Sequence, residues 1–414
     1  MVCCLSFNLF IFYSNLIPNN QIELVFLAFK LPPKKIITIT NLNMKFSTSS
    51  SDLLKQLQLV GGAIGSNPVL PILEDFLFNI EGSSLTIAST DLETSITTKL
   101  EIQADKNGNV AIPAKILLET LKALPDQPIT FDIDDENFAV EITSAYGKYK
   151  LAGENGQDFP TIPTPDEVDS IELPSASLNK AIVKTLFATS SDELRPAMTG
   201  VFFQIDFNKV TFVATDAHKL VKYAFDEIKS DVSTSFIVPK KALNLLKGTL
   251  PSGGDVKVSF NKAHVFFDFG DVNMSCRLID ARYPDYNAVI PVDNPHLLTL
   301  GRGDFQSSLK RIGIYANKTT NQVILNINDT NMDVSAQDLD FSNEASEKMS
   351  CTYTGEPLTI GFNSKFLVEM LGVLESDEIK MELSTSTRAG ILLPAEKDDN
   401  EEILMLVMPV MLSN

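Results

Sequence analysis

The chain has 414 residues, of which 44% are hydrophobic, and a formal net charge of −19. That length exceeds one ordinary core and suits two or three domains, while the hydrophobic share and ordinary Gly and Pro content exclude a disordered or low-complexity chain. The acidic balance, taken alone, argues against nucleic acid, whose phosphates call for Lys and Arg, and fits a protein kept soluble by its charge.

The first 43 residues do not match the rest. They are apolar and aromatic, yet no positive segment precedes the apolar run and no small-residue cleavage site follows it. Asn8, Ser14 and Asn15 interrupt the run before it reaches the ~20 apolar residues of a membrane helix. Met44, opening MKFSTSSSDLLKQL, is therefore the expected start, and residues 1–43 an extension without a folded role.

From Met44 onward one unit recurs. SSDLLKQLQLVGGAIG (50–65) predicts a helix, and FLFNIEGSSLTIASTD (76–91) a β-hairpin with alternating apolar residues. AIPAKILLETLKALP (111–125) predicts a second helix behind a Pro, and YKLAGENGQDFP (149–160) follows. The order then repeats as SASLNKAIVKTLFATS (175–190), VFFQIDFNKVTFVATD (201–216), IVPKKALNLLKGTLP (237–251) and CRLIDARYPDYN (276–287). A third copy runs through GDFQSSLKRIGIYANK (303–318), the weaker hairpin VILNINDTNMDVSAQD (323–338) and GFNSKFLVEMLGVLE (361–375). Lys115, Lys241 and Lys365 align, as do Leu117, Leu243 and Leu367. The expected fold is α+β, with two helices covering antiparallel sheet in each of three domains, 44–165, 166–293 and 294–414.

The four cysteines (Cys3, Cys4, Cys276, Cys351) form no CxxC, and the histidines (His218, His264, His296) are scattered. No disulfide framework, metal or other cofactor is expected, and a reducing cytoplasm fits best. VATDAHKL (213–220) places Asp216 and His218 two residues apart. The Asp recurs as Asp91 and Asp338 but the His does not, which reads as a turn residue rather than a catalyst. No GxSxG elbow supplies a nucleophile. A hydrolase built on Asp216 and His218 therefore stands as the weaker alternative.

Charge is segregated. The six predicted helices carry twelve basic residues against five acidic ones, so the acids concentrate on strands and loops. Such helices can face a polyanion and contact phosphates without reading sequence. No aromatic platform interleaves the lysines, which favours duplex over single-stranded nucleic acid. A repeat-built scaffold without DNA remains open from charge alone.

The triple repeat, MKFSTSSSDLLKQLQLVGGAIGSNPVLPIL, VATDAHKL, RYPDYNAVIP and the terminal VMPVML together resemble the bacterial DNA polymerase III β subunit family, the sliding clamps. The resemblance runs from Met44 to the C-terminus. It implies a non-catalytic, head-to-tail homodimeric ring around duplex DNA, conferring processivity on the replicative polymerase. Lys55, Asn67, Lys115, Lys122, Lys180, Lys184, Lys240, Lys241, Lys247, Lys310, Arg311, Lys318 and Lys365 would face DNA. An ATP-dependent clamp loader would open the ring, since the chain has no GxxxxGK[ST].

The resemblance also implies a peptide groove for the replicative polymerase, other polymerases and repair factors. By position it comprises Arg195, Met198, Thr215, Ala217, His218, Lys219, Leu220, Pro284, Ala288, Val289, Leu406, Met408, Pro409, Val410, Met411 and Leu412. The dimer contact would set Tyr149 and Leu151 of one subunit against Ile314 and Tyr315 of the other. The chain departs from the family in four places. A basic residue is usual where Asn67 stands, Gly where Ala217 stands, and Arg where Lys219 and Ala288 stand.

Overall fold

A computed structural model describes residues 43–226, 228–396 and 400–412. Residues 1–42, nearly all of the segment expected to be an extension, lie outside the described residues.

The described residues form six α-helices, two per repeat: α1 (Ser50–Val60), α2 (Ala114–Ala123), α3 (Ser175–Thr185), α4 (Lys240–Thr249), α5 (Arg302–Ile312) and α6 (Ser364–Val373). Each begins where the sequence provides a start. The Ser49 hydroxyl accepts the Asp52 N–H at α1, and the Asn363 side chain accepts the Lys365 N–H at α6. Pro113, Pro174 and Pro239 lead into α2, α3 and α4 with their φ already fixed. The aligned Leu117, Leu243 and Leu367 are fully buried. The first helix of each repeat is shorter than its apolar pattern, because α1 and α3 tighten into 3-10 turns at 61–63 and 186–188 and α5 stops at Gly313.

The strands are antiparallel throughout and form four sheets. A five-stranded sheet belongs to the first repeat and ends at Lys148–Ala152. A nine-stranded sheet joins the first and second repeats through Thr94–Glu101 and Val272–Arg277. A second nine-stranded sheet joins the second and third repeats through Lys219–Asp226 and Glu401–Val407. A four-stranded sheet completes the third repeat and ends at Asn343–Ser350.

These two junctions share one register. Cys276 lies opposite Thr94 in the first, and Val407 opposite Lys219 in the second. Thr94 and Lys219 occupy the same repeat position, three residues past Asp91 and Asp216. Cys276 and Val407 are equivalent as well, since each closes the same meander, opposite Val265 and Gly390. The equivalent residue of the first repeat is Leu151, opposite Val140. The sequence motifs align Tyr149 with Cys276 instead. The ladders shift this by two residues because the preceding hairpin turn, 134–138, is two residues longer than its counterpart at 261–263.

Candidate partner groove and nucleic-acid interface

The VATDAHKL segment is a tight turn between Lys209–Thr215 and Lys219–Asp226. The Asp216 carboxylate accepts the N–H groups of His218 and Lys219, both at 2.9 Å, and the Thr215 hydroxyl accepts the Ala217 N–H at 3.1 Å. Asp91 does the same for Glu93 and Thr94 in the first repeat. Asp216 is therefore a turn residue that holds backbone, as the repeat implies. Ala217 sits at φ 75° and its counterpart Leu92 at φ 78°, in the left-handed region that a side chain strains by roughly 1 kcal/mol.

His218 is exposed, and its ring lies 6.2 Å from that of Phe366 on α6 with the planes 22° apart. The Lys219 ammonium is 3.1 Å from the Asp216 carboxylate, 3.1 Å from that of Glu369 on α6, and 4.2 Å from the Phe366 ring centre. Nothing in this cluster presents a nucleophile to His218. Among the described residues no group of His, Cys, Asp and Glu could hold a metal ion.

The C-terminal strand delivers the tail to the same place. Leu406 pairs with Leu220, and both are buried. The Met408 N–H donates to the His218 carbonyl at 2.8 Å, the Val410 N–H to the Gly361 carbonyl at 2.8 Å, and the Gln322 amide to the Met411 carbonyl at 3.3 Å. Met408 and Met411 remain 42% and 71% exposed, while Pro409, Val410 and Leu412 are half-buried. Beneath them a small apolar cluster contains Val213, Leu220, Ile237, Tyr283, Tyr286, Ala389 and Leu406. Tyr283 stacks on Phe202 with ring centres 4.6 Å apart and donates its hydroxyl to the Val213 carbonyl. Burial pushes the Tyr283 phenol well above its ordinary pKa. Pro284, Ala288 and Val289 are exposed on the loop that follows, Arg195 is exposed, and Met198 and Thr215 are half-buried and buried. Gln322, Gly361, Phe366 and Glu369 join this region without having been expected. A one-sequence repeat search could not find them, because they reach it across the junction between two repeats.

The basic residues divide into two groups. Lys55, Lys115, Lys122, Lys247, Lys310 and Lys365 are exposed and make no ion pair among the described residues. Lys240 is half-buried, and exposed Lys318 donates to the Ile314 carbonyl. Asn67 lies in an exposed loop rather than on a helix. Four others are engaged. Lys241 pairs with Asp91 across the first junction, and Arg311 binds Glu347 through two 2.7 Å hydrogen bonds. Lys180 lies 2.6 Å from Glu401, and Lys184 3.4 Å from Glu375, both across the second junction. The Lys184 side chain is only 8% exposed, and burial, with Lys180 beside it, lowers its pKa. Sequence-local counting missed the partners of Lys180 and Lys184 because those acids lie in the third repeat.

Three family models cover the chain: the N-terminal, central and C-terminal domains of the DNA polymerase III beta subunit, over residues 44–163, 172–285 and 287–410. The chain belongs to the DNA polymerase III beta subunit family. A beta sliding clamp from Synechocystis is 31% identical over 397 residues, spanning 90% of this chain and all of that protein. One from Vibrio cholerae is 27% identical, spanning 89% of this chain and all of that protein. Among solved structures, a sliding clamp from Bartonella birtlesii bound to griselimycin has 29% identity and a TM-score of 0.84, and the beta subunit from Pseudomonas aeruginosa 27% and 0.85. Each of these two spans 89% of this chain and 100% of its own. In this family member the departure at Ala217 has a direct physical meaning, since its φ is one that Gly adopts without strain. Among the described residues no helix is long and apolar enough to cross a membrane.

Proposed function

We propose that this sliding clamp closes head to tail with a second copy of itself into a ring around duplex DNA, in the cytoplasm. The chain performs no catalysis. It gives processivity to the replicative polymerase, because a polymerase tethered to a ring does not diffuse away when it releases its template. The observation that carries this reading is the junction rule. Two of the three strand junctions that three repeats allow are made within the chain, in one register, and two edges are left over. Asn343–Ser350 occupies the position of Thr94–Glu101 and Lys219–Asp226; Lys148–Ala152 occupies the position of Val272–Arg277 and Glu401–Val407. Joining them between copies makes a third nine-stranded sheet and removes both exposed edges.

The shared register sets Leu151 of the partner subunit opposite Asn343 and Tyr149 of the partner subunit opposite Ala345. Lys150 of the partner subunit then falls beside Glu344. Exposed Ile314 and Tyr315 follow α5, whose Arg311 binds Glu347 on this edge. The six exposed lysines without ion pairs line the DNA side with weak, sliding contacts. An ATP-dependent loader opens the ring. The tail, the Asp216 turn and the 284–289 loop form the groove that docks the replicative polymerase, other polymerases and repair factors. Exposed methionines there suit varied apolar peptides.

Retention on DNA tests the ring. Loaded protein should stay on nicked circular DNA in 0.5 M salt and be lost when one cut makes that DNA linear. Equal loss from both forms would mean that no ring encircles the duplex.

A further inference from the structure

The groove's cations are already matched, which bears on what it can accept. Lys219 is held by two carboxylates, Asp216 and Glu369, and by the Phe366 ring, with only 6% of its side chain exposed. The Arg195 guanidinium lies 2.8 Å from Asp192. Ala288 offers no charge at the position where the family often carries Arg. The wall segments 192–198, 215–220, 284–289 and 406–412 hold four carboxylates (Asp192, Glu193, Asp216, Asp285) and two cations; Glu369 of α6 makes the carboxylates five. The floor is apolar and the rim acidic.

We propose that this groove selects partner segments with an apolar core and basic or neutral flanks, and discriminates against acidic flanks. Glu369 is a positioning residue in this scheme. It fixes Lys219, and through the turn His218, against α6, and it withdraws the Lys219 charge from any incoming peptide. An acidic flank would find the two cations of the wall segments, Arg195 and Lys219, already paired, and would meet Glu193 and Asp285, both exposed. A basic flank finds those carboxylates directly, and such rim charges steer partner choice more than they add affinity.

The proposal rests on the groove reading, and the test separates the two. A random ten-residue peptide library is displayed on phage and selected against the full-length protein. Enriched peptides should combine an apolar core with net positive flanks. A synthetic copy of an enriched core with Lys flanks should bind about fivefold more tightly than the same core with Asp flanks at 0.05 M salt, narrowing to within about twofold at 0.5 M. Glu369→Gln, at a side chain 47% exposed, should shrink the low-salt difference. Enrichment of acidic peptides, or tighter binding of the Asp-flanked copy, overturns the charge selection. Met408→Ala with Met411→Ala serves as the groove control. If it leaves the enriched peptides bound, or if no peptide is enriched, the groove reading itself fails.

Discussion

Ile314→Asp combined with Tyr315→Asp is expected to leave the protein monomeric at micromolar concentration. In the single chain Ile314 is 66% and Tyr315 43% exposed, just past the end of α5, whose Arg311 binds Glu347 on the free edge Asn343–Ser350. Covering such side chains stabilises by roughly 25 cal/mol per Å², or about 2 kcal/mol each. A carboxylate forced into that contact without a partner adds several kcal/mol of cost. Together these raise the dimer dissociation constant by more than about 1,000-fold. Both side chains are exposed in the free chain, so the fold itself should change by less than about 1 kcal/mol. Sedimentation equilibrium distinguishes the outcomes, and a variant that remains dimeric places the interface elsewhere.

Replacing Lys55, Lys115, Lys122, Lys247, Lys310 and Lys365 by Glu is expected to abolish stable loading on DNA while leaving the dimer intact. Each replacement reverses one exposed charge that makes no ion pair among the described residues, on the face proposed to meet DNA. With several phosphate-binding cations removed from each subunit, binding to duplex should fall by about 1,000-fold or more at 0.1 M salt, and its salt dependence should flatten. The corresponding change at Lys184 would read differently. That side chain is only 8% exposed beside Glu375 and Glu401, so replacing it by Glu buries a carboxylate against two others and destabilises the fold. Loading and retention equal to the parent after the six-lysine exchange would leave the positive helices without a role toward DNA.

The repeat itself was legible because it leaves a regular trace. Apolar alternation marked the hairpins 76–91, 201–216 and 323–338, and the aligned Leu117, Leu243 and Leu367 marked the buried face of the second helix. The turn role of Asp216 was also legible, since Asp91 repeats it without a histidine. The partnerships between repeats were not. Nothing local in 177–190 announces that Lys180 and Lys184 meet Glu401 and Glu375, some 190–220 residues away. Nothing in VATDAHKL announces that Lys219 is taken up by Glu369 and Phe366. The alignment of 149–160 with 276–287 slipped by two residues because hairpin-turn length is set by backbone geometry, while the apolar alternation on either side looks the same after an even shift. Tertiary charge pairing and strand register thus needed the folded structure, whereas the fold class needed only periodicity.

The most direct measurement is covalent capture of the open edges in the register that the two internal junctions share. Tyr149→Cys and Ala345→Cys in one chain place thiols opposite each other only if two copies pair head to tail. Mild oxidation should then yield a dimer closed at both interfaces, which migrates as one covalent circle under denaturing conditions and stays threaded on circular DNA. Failure to cross-link between these positions, with efficient cross-linking in a register shifted by two residues or none at all, would contradict the repeat-equivalent ring.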